Sequence, residues 1–552
     1  MIRRILLLMF LFGALKISAQ NYDSLFTEFM DLKENQNSIV STKSDSKPIK
    51  CAFGIHAEIK HNFDRFSTAQ KNQLAKVLGR PSPSELPLTL DSPMGLFKLH
   101  YDTTNVFDKP GYDLNELAEA FDSSYNFQIN VMGFDPPPSD NGLGGDNKID
   151  VYIWHLGGDV YGFTEFDDSN NPNQFSAYIQ MDNDYPAKSY YTSGINAAKV
   201  TAAHELHHVI QVGSYAYKSD DIFYHELTST AMEEFVFDEV NDYYAYMGSY
   251  FRETRFPLTL SDGYESAVWN IFINEKLNKE FHGQKKGFEF IKRTWEILRG
   301  DYRAIEAIAL SFTEFGLTFS NEFSDFGAWM YFTGARADTE NYFSEGVAYP
   351  SISLSMDDEF IPPASAALAL STRAITLNYL QFTNIAEDPL DVIICVISNS
   401  DIVESIERPL GLLDVSYTLS QSDNNYFSKV TSSKKQFISE ANIINNIQVT
   451  PFSSGSSDIG KIVFPQPFNY QKHINLIIPL ENSDNSEVEL IVFTPSMDVV
   501  YKNFHEVFGG TNPFIRWDAK KVNGEYLPSG VYIYSTKYDN SETIGKFVIF
   551  ND

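Results

Sequence analysis

The stretch TAAHELHHVIQ, residues 201–211, constrains this chain more than any other. Three histidines and a glutamate stand in five consecutive positions, among Ala197, Ala198, Ala202, Ala203 and Leu206, which are strong helix formers. Gly213 reads as the stop, so a helix is expected here. On a helix His204 and His208, four residues apart, share one face, and both imidazoles can reach a single ion. Glu205 follows the first of them, where its carboxylate lies beside the metal without binding it. From there it can take a proton from an attacking water and pass it to the leaving group. His207 does not fit this register and reads as a flanking side chain.

A catalytic zinc site needs a third protein ligand, with the fourth position kept for water. No further histidine follows closely, because Gly213 is succeeded by Ser214-Tyr215-Ala216. A second helix is expected over FYHELTSTAMEEFVFDEV, residues 223–240, and Glu226 near its start is the preferred third ligand. Glu233 is the rival. His225 points about 100° away from Glu226 around the helix and cannot share the site without strain. Further on, Tyr264 in SDGYESAVW starts a later helix and could donate to a tetrahedral oxyanion. The loop SDNGLGGDNKID carries Asp140, Asp146 and Asp150 and could hold Ca2+, although its spacing is not that of an EF-hand and a solvated turn is the plainer reading.

A chain of 552 residues suggests three or four domains, and 43% hydrophobic content with 14% aromatics suffices for packed cores. Its first residues, MIRRILLLMFLFGALKISAQ, have the basic start, apolar run and small-residue cleavage region of a secretory signal. The apolar run is too short to span a bilayer, and no later segment is long enough, so export of a soluble mature chain is expected. Removing residues 1–19 takes Arg3, Arg4 and Lys16 with it and moves the net charge from −31 to −34. Such an acidic surface argues against nucleic acid or anionic membrane as a partner. Cys51 and Cys395 are too few to form a disulfide framework; they could pair or remain thiols.

The expected architecture is multidomain α+β. After the signal (1–19) comes a polar N-terminal arm and candidate pro-segment (20–94), read as mobile over 20–48, with a short helix near Ser67–Leu78. Residues 95–350 read as the catalytic domain. A helix over 114–134 is followed by strands in KIDVYIWHL and FSAYIQMD, then by six or seven helices from Ile195 to about Thr333. Short alternating runs after Ser351 suggest two small all-β sandwich modules, at 351–450 and 451–552.

HELHH with a downstream glutamate resembles the gluzincin metallopeptidases. GLFKLHYDT, PPPSDNGLGG, VYGFTEF, VTAAHELHHVIQ, ELTSTAMEEFVFDEVNDY and FGAWMYFTG together resemble a family of secreted bacterial proteins classed as metallopeptidases. Its members typically read TAAHEFFHAVQ, then a helix of EGTATWMED type. The resemblance covers roughly 95–350 and implies a zincin-like fold, one catalytic zinc and peptide hydrolysis. It sets Glu226 on the first glutamate of that helix and Glu233 on the second; Leu227 departs from the small residue usual after the first. It also implies that FSAYIQMDND, just before the helix, is an edge strand pairing with an extended substrate. At the other end, Pro465-Gln466-Pro467-Phe468-Asn469, Trp517-Asp518, Asn523-Gly524, Pro528-Ser529-Gly530-Val531-Tyr532 and a closing GKFVIF resemble the C-terminal sorting domains of type IX secretion cargo. Gln466 stands where asparagine is usual. That likeness implies the secretion machinery as a partner and a secreted or cell-surface location.

The resulting expectation is a secreted zinc-dependent endopeptidase. Two rivals stand beside it: a surface adhesin or binding protein with an inactive protease-like domain, which an intact Glu205 disfavours, and a metal hydrolase acting on a non-peptide bond.

Overall fold

The computed structural model describes residues 22–33 and 48–353, apart from 158–159, 168–173 and 283–284. Beyond these it describes 356–359, 365–372, 375–383, 390–396, 413–420, 447–451, 463, 465–471, 473–480, 487–508, 513–538 and 541–550. The expected signal segment lies outside the described residues. Contacts divide the chain into two compact units, Met1–Tyr246 and Met247–Asp552, and this cut falls inside the stretch 95–350 that the sequence reads as one domain.

The first unit is built on a six-stranded mixed sheet. Its strands are β1 (Ile49–Cys51), β2 (Leu88–Asp91), β3 (Phe97–Tyr101), β4 (Ile149–Ile153), β5 (Val160–Phe166) and β6 (Ala177–Met181), in the order β1-β5-β6-β4-β3-β2. β3, β4 and β6 run parallel, β5 is antiparallel to β6, and β1 is parallel to β5 with Cys51 opposite Gly162. The expectation that FSAYIQMDND forms the substrate edge is corrected here. β6 is hydrogen-bonded to β4 on one side and β5 on the other, so no backbone groups are left for a further strand. The edges of the sheet are β1 and β2, and β5 is the next strand inward from β1.

The N-terminal arm is more ordered than its polar composition suggests. Residues 22–33 form a helix, α1, whose Phe29 packs in a cluster with Ile59, Phe66 and Leu74. α2 (Phe53–His61) and α3 (Thr68–Leu74) follow; α3 starts in a capping box between Ser67 and Gln70. α4 (Leu114–Tyr125) continues into a π turn over Asn126–Val131 before Gly133 and the Pro136–Pro138 run.

α5 (Gly194–Ile210) is buried on nearly all sides from Ala197 onward, lying between the sheet and the helices α4 and α6 (Ile222–Val236). Alanines on its surface and Gly162 in β5 allow this close approach. A Cβ at Gly162 would stand 2.9 Å from Thr201 Cγ2 and 3.0 Å from the Gln180 carbonyl oxygen. Gly213, expected as a helix stop, has a different role. The helix runs on into a π turn over Gln211–Tyr215, and a Cβ at Gly213 would meet Pro138 and Pro137 at 2.8 and 3.0 Å. The glycine is there to admit the proline run.

In the second unit, α7 (Tyr244–Arg252, which starts at the boundary), α8 (Val268–Glu280), α9 (Lys286–Leu298), α10 (Ala304–Glu314) and α11 (Phe319–Tyr331) complete the expected helical run. Trp269 gathers Phe272, Phe312, Phe319, Phe323 and Phe326 around its ring. The β-rich tail starts with two three-stranded sheets, in which β7 (Met356–Glu359), β9 (Thr376–Thr383) and β10 (Leu390–Val396) form one and β8 (Ser365–Thr372), β11 (Leu413–Ser420) and β12 (Ile447–Pro451) the other. The last module is an antiparallel sheet of β13 (Leu476–Pro479), β14 (Glu487–Phe493), β15 (Val499–Phe508), β16 (Phe514–Trp517), β17 (Gly530–Tyr538) and β18 (Ser541–Ile549). Its core is formed by Phe468, Leu490, Trp517, Tyr534 and Phe547. Within this unit Lys537 of β17 pairs with the buried Glu306 of α10, so the last module is tied to the helices by a desolvated charge pair. No helix among the described residues is long and apolar enough to cross a membrane.

Candidate metal centre

The buried face of α5 brings His204 and His208 together, and α6 brings Glu226 against both. His204 Nε2 lies 3.2 Å from His208 Nε2, and each of these nitrogens lies 3.2 Å from Glu226 Oε2. The three atoms form a near-equilateral triangle. Ligands about 2.0–2.1 Å from a tetrahedral zinc stand about 3.3 Å apart, so the triangle has the size of one face of a zinc coordination shell.

The tautomers point the same way. His204 Nδ1 is 2.8 Å from Glu233 Oε1, and His208 Nδ1 is 2.9 Å from Gln211 Oε1. Gln211 itself is oriented by its amide donating to the His225 carbonyl oxygen at 3.1 Å. Each imidazole therefore donates from Nδ1, and its Nε2 faces the centre of the triangle. Burial opposes a charged His204, but the Glu226 and Glu233 carboxylates outweigh it and raise its pKa to about 9. Burial likewise opposes ionisation of Glu226, yet His208 and His204 pull its pKa down to about 2. A single divalent cation can serve all three converging atoms. Glu226 Oε1, also buried, has no hydrogen-bond partner among the described residues. The residues present fit a zinc ion.

Glu205 stands beside the triangle without joining it. Thr164 of β5 donates its hydroxyl to Glu205 Oε2 at 2.9 Å and fixes the carboxylate's orientation. Burial is the largest influence on Glu205 and pushes its pKa up, against the pull of His204 and His208. Glu233, the rival third ligand, holds the far edge of the His204 ring and is itself 2.8 Å from Lys50 Nζ. Lys50 also pairs with Asp242. His207 turns away from the triangle to Gln128 at 2.9 Å, and His225 Nδ1 meets Gln211 Oε1 at 2.8 Å. Tyr264 belongs to the second unit, in a 3-10 turn (Tyr264–Ser266) just before α8.

Sequence reasoning missed a fourth group. The ligand atoms of Cys51, His204, His208 and Glu226 all lie within 4.8 Å of one another, and all four residues are buried. Cys51 is not in a disulfide. The next turn of chain adds to this contact, because the Phe53 ring stacks on His208 with centroids 4.0 Å apart. The only sequence signal was a cysteine in a chain that has two of them. By contrast, the loop considered for Ca2+ has its carboxylates occupied. Arg80 pairs with Asp140 and Asp150, and Lys98 and Lys148 pair with Asp146.

No protein-family model matches the chain, and no curated protein matches it. Among solved structures, it is similar over 32% of its length to PorZ, an essential surface component of the type-IX secretion system of the human oral bacterium Porphyromonas gingivalis, at 13% identity and a TM-score of 0.13. It is similar over 36% of its length to dimeric latent PorU from the same organism, at 12% identity and a TM-score of 0.14. The chain spans 23% of the length of the first and 19% of the second, and at these scores the likeness carries no argument.

Proposed function

We propose that the chain is a zinc-dependent hydrolase of peptide bonds, with His204, His208 and Glu226 as the protein ligands and Glu205 as general base and then acid. The observation that carries this reading is the 3.2 Å triangle of two imidazole nitrogens and one carboxylate oxygen, flanked by a second carboxylate, that of Glu205, which takes no part in it. Zinc bound there supplies the Lewis acidity that makes water nucleophilic near neutral pH. Glu205, held by Thr164, accepts the proton of the attacking water and returns it to the departing amine. Glu233 and Gln211 keep the two imidazoles in the tautomer that offers Nε2. A peptide is favoured over an ester or another amide because β5, beside the site, pairs its outer edge with an extended segment, here β1.

The test is metal analysis of the purified full chain with digestion of an unstructured protein substrate, with and without a chelator. One zinc per chain is expected, and chelator-sensitive cleavage once residues 49–53, which pair with β5 and stack on His208, are displaced by limited proteolysis. Bound zinc with hydrolysis of ester substrates alone would move the reading to a non-peptide bond. We infer separately, from sequence resemblance, that residues 451–552 are a secretion address. A chain ending near Val449 should then keep its metal centre and accumulate in the periplasm, whereas normal surface levels would leave an accessory module.

A further inference from the structure

A site that hydrolyses peptides must admit a water and a substrate, and here the proposed ligands and base are buried. His204, Glu205, His208 and Glu226 are each at most 1% exposed, and Cys51 is 4% exposed. One short piece of chain, residues 49–53, packs on them. Its contacts fall on three sides of the same centre. Lys50 reaches Glu233, the carboxylate that holds His204. Cys51 presents its sulfur among the ligand atoms. Phe53 stacks on His208, and its backbone N–H donates to Cys51 Sγ at 3.2 Å. The backbone is fixed as well: Ile49 and Cys51 pair with Val160 and Gly162, and Ala52 N–H donates to the Gly162 carbonyl at 3.2 Å. These are the outward-facing hydrogen-bonding groups of β5, which an extended substrate would use with β1 displaced.

Resting on the proposed zinc site, we infer that the chain described here is a latent form, closed by its own N-terminal segment: Cys51 Sγ is the fourth ligand of the ion held by His204, His208 and Glu226, and β1 occupies the substrate edge of β5. On ligation the thiol would pass its proton to the Glu205 carboxylate, to which it is hydrogen-bonded, and the thiolate would take the place that water needs. The other three ligands and Glu205 are already in position, so activation consists of displacing residues 49–53 and assembling nothing. Soft sulfur and two imidazoles with one carboxylate form a donor set well suited to zinc.

Cobalt(II) reports on this directly, because a thiolate ligand adds an intense near-ultraviolet charge-transfer band that nitrogen and oxygen ligands do not give. The full chain loaded with one equivalent of cobalt(II) should show that band. Cys51→Ala and Cys51→Ser should lose it while still binding one equivalent and keeping the far-ultraviolet circular dichroism of the parent. Added azide should then shift the visible spectrum of Cys51→Ala, whose fourth position is open, and leave the parent unchanged. A parent chain that binds cobalt without the band, or responds to azide as the variant does, would overturn the inference while leaving the zinc site intact. Failure of both parent and variants to bind cobalt would instead remove the zinc reading on which it rests.

Discussion

Glu226 and Glu233 stand seven residues apart on one face of α6 and hold opposite edges of a single imidazole. Glu226 Oε2 is 3.2 Å from His204 Nε2, and Glu233 Oε1 is 2.8 Å from Nδ1. Seven residues are two helical turns, so both carboxylates come to the same ring from successive levels of the helix. The division of labour follows from which nitrogen each one meets. Only Glu226 also reaches His208 Nε2.

Glu226→Ala should therefore weaken zinc binding by several orders of magnitude. Glu233→Ala should weaken it by only about 10–100-fold, the usual effect of losing a partner that orients a ligand. Competitive zinc titration of both variants decides the assignment, and the reverse order would transfer the ligand role to Glu233.

Compared after residues 49–53 have been displaced from both chains, Glu205→Gln should retain zinc and lose hydrolysis by at least about 10²–10⁴-fold, because an amide can neither take nor return the proton. His204→Ala should lose both metal and activity. Cleavage by Glu205→Gln at the parent rate would show that another group is the base.

Gly162→Ala tests how closely α5 is set on the sheet. The new methyl would lie 2.9 Å from Thr201 Cγ2 and 3.4 Å from Glu205 Cγ, so the helix must shift or the strand must bend. The expected cost is about 1–3 kcal/mol in thermal or urea unfolding, with lower zinc affinity in the same variant. An unchanged midpoint and unchanged affinity would mean that the close approach is not needed.

His56 supplies a pH dependence separate from the metal ligands. It is buried between Phe163, stacked at 4.0 Å, and Phe29. Burial and then the Lys33 ammonium outweigh Glu165 and push its pKa down to about 4. The folded chain thus keeps His56 neutral while the unfolded chain protonates it near 6.5. Its contribution is full above pH 6.5 and is lost as pH falls toward 4, amounting to about 3 kcal/mol at most. In metal-free protein the slope of stability against pH over that window should be one proton shallower in His56→Phe than in the parent. Equal slopes would show that His56 is already charged in the fold.

How much of this was legible in the sequence depends on the range of the contact. The spacing of His204 and His208 and the alanines between the strands and the site are local, and they foretold a helix with two imidazoles on one face. Glu226 and Glu233 were both visible as candidates on a second helix. What separated them was the register of α6 against α5, which no local pattern carries. The strand order was not readable either. FSAYIQMD was correctly read as a strand, but its neighbours, β4 and β5, are set by pairing across the sheet. Cys51 was hidden for the same reason. IKC is a strand of three residues, too short for an alternating pattern, and its partner Gly162 lies far along the chain. Residues 22–33 read as arm because their composition is polar, yet Phe29 packs with Ile59, Phe66 and Leu74 and gives that helix its place.

The most direct test of the central claim is X-ray absorption at the zinc edge on the purified full chain. Two histidine nitrogens and one carboxylate oxygen at about 2.0–2.1 Å and one sulfur at about 2.3 Å are predicted, with the outer-shell scattering of two imidazoles, and loss of half that imidazole signal in His208→Ala. A chain that takes up no zinc, or a zinc shell without imidazole scattering, would contradict the account.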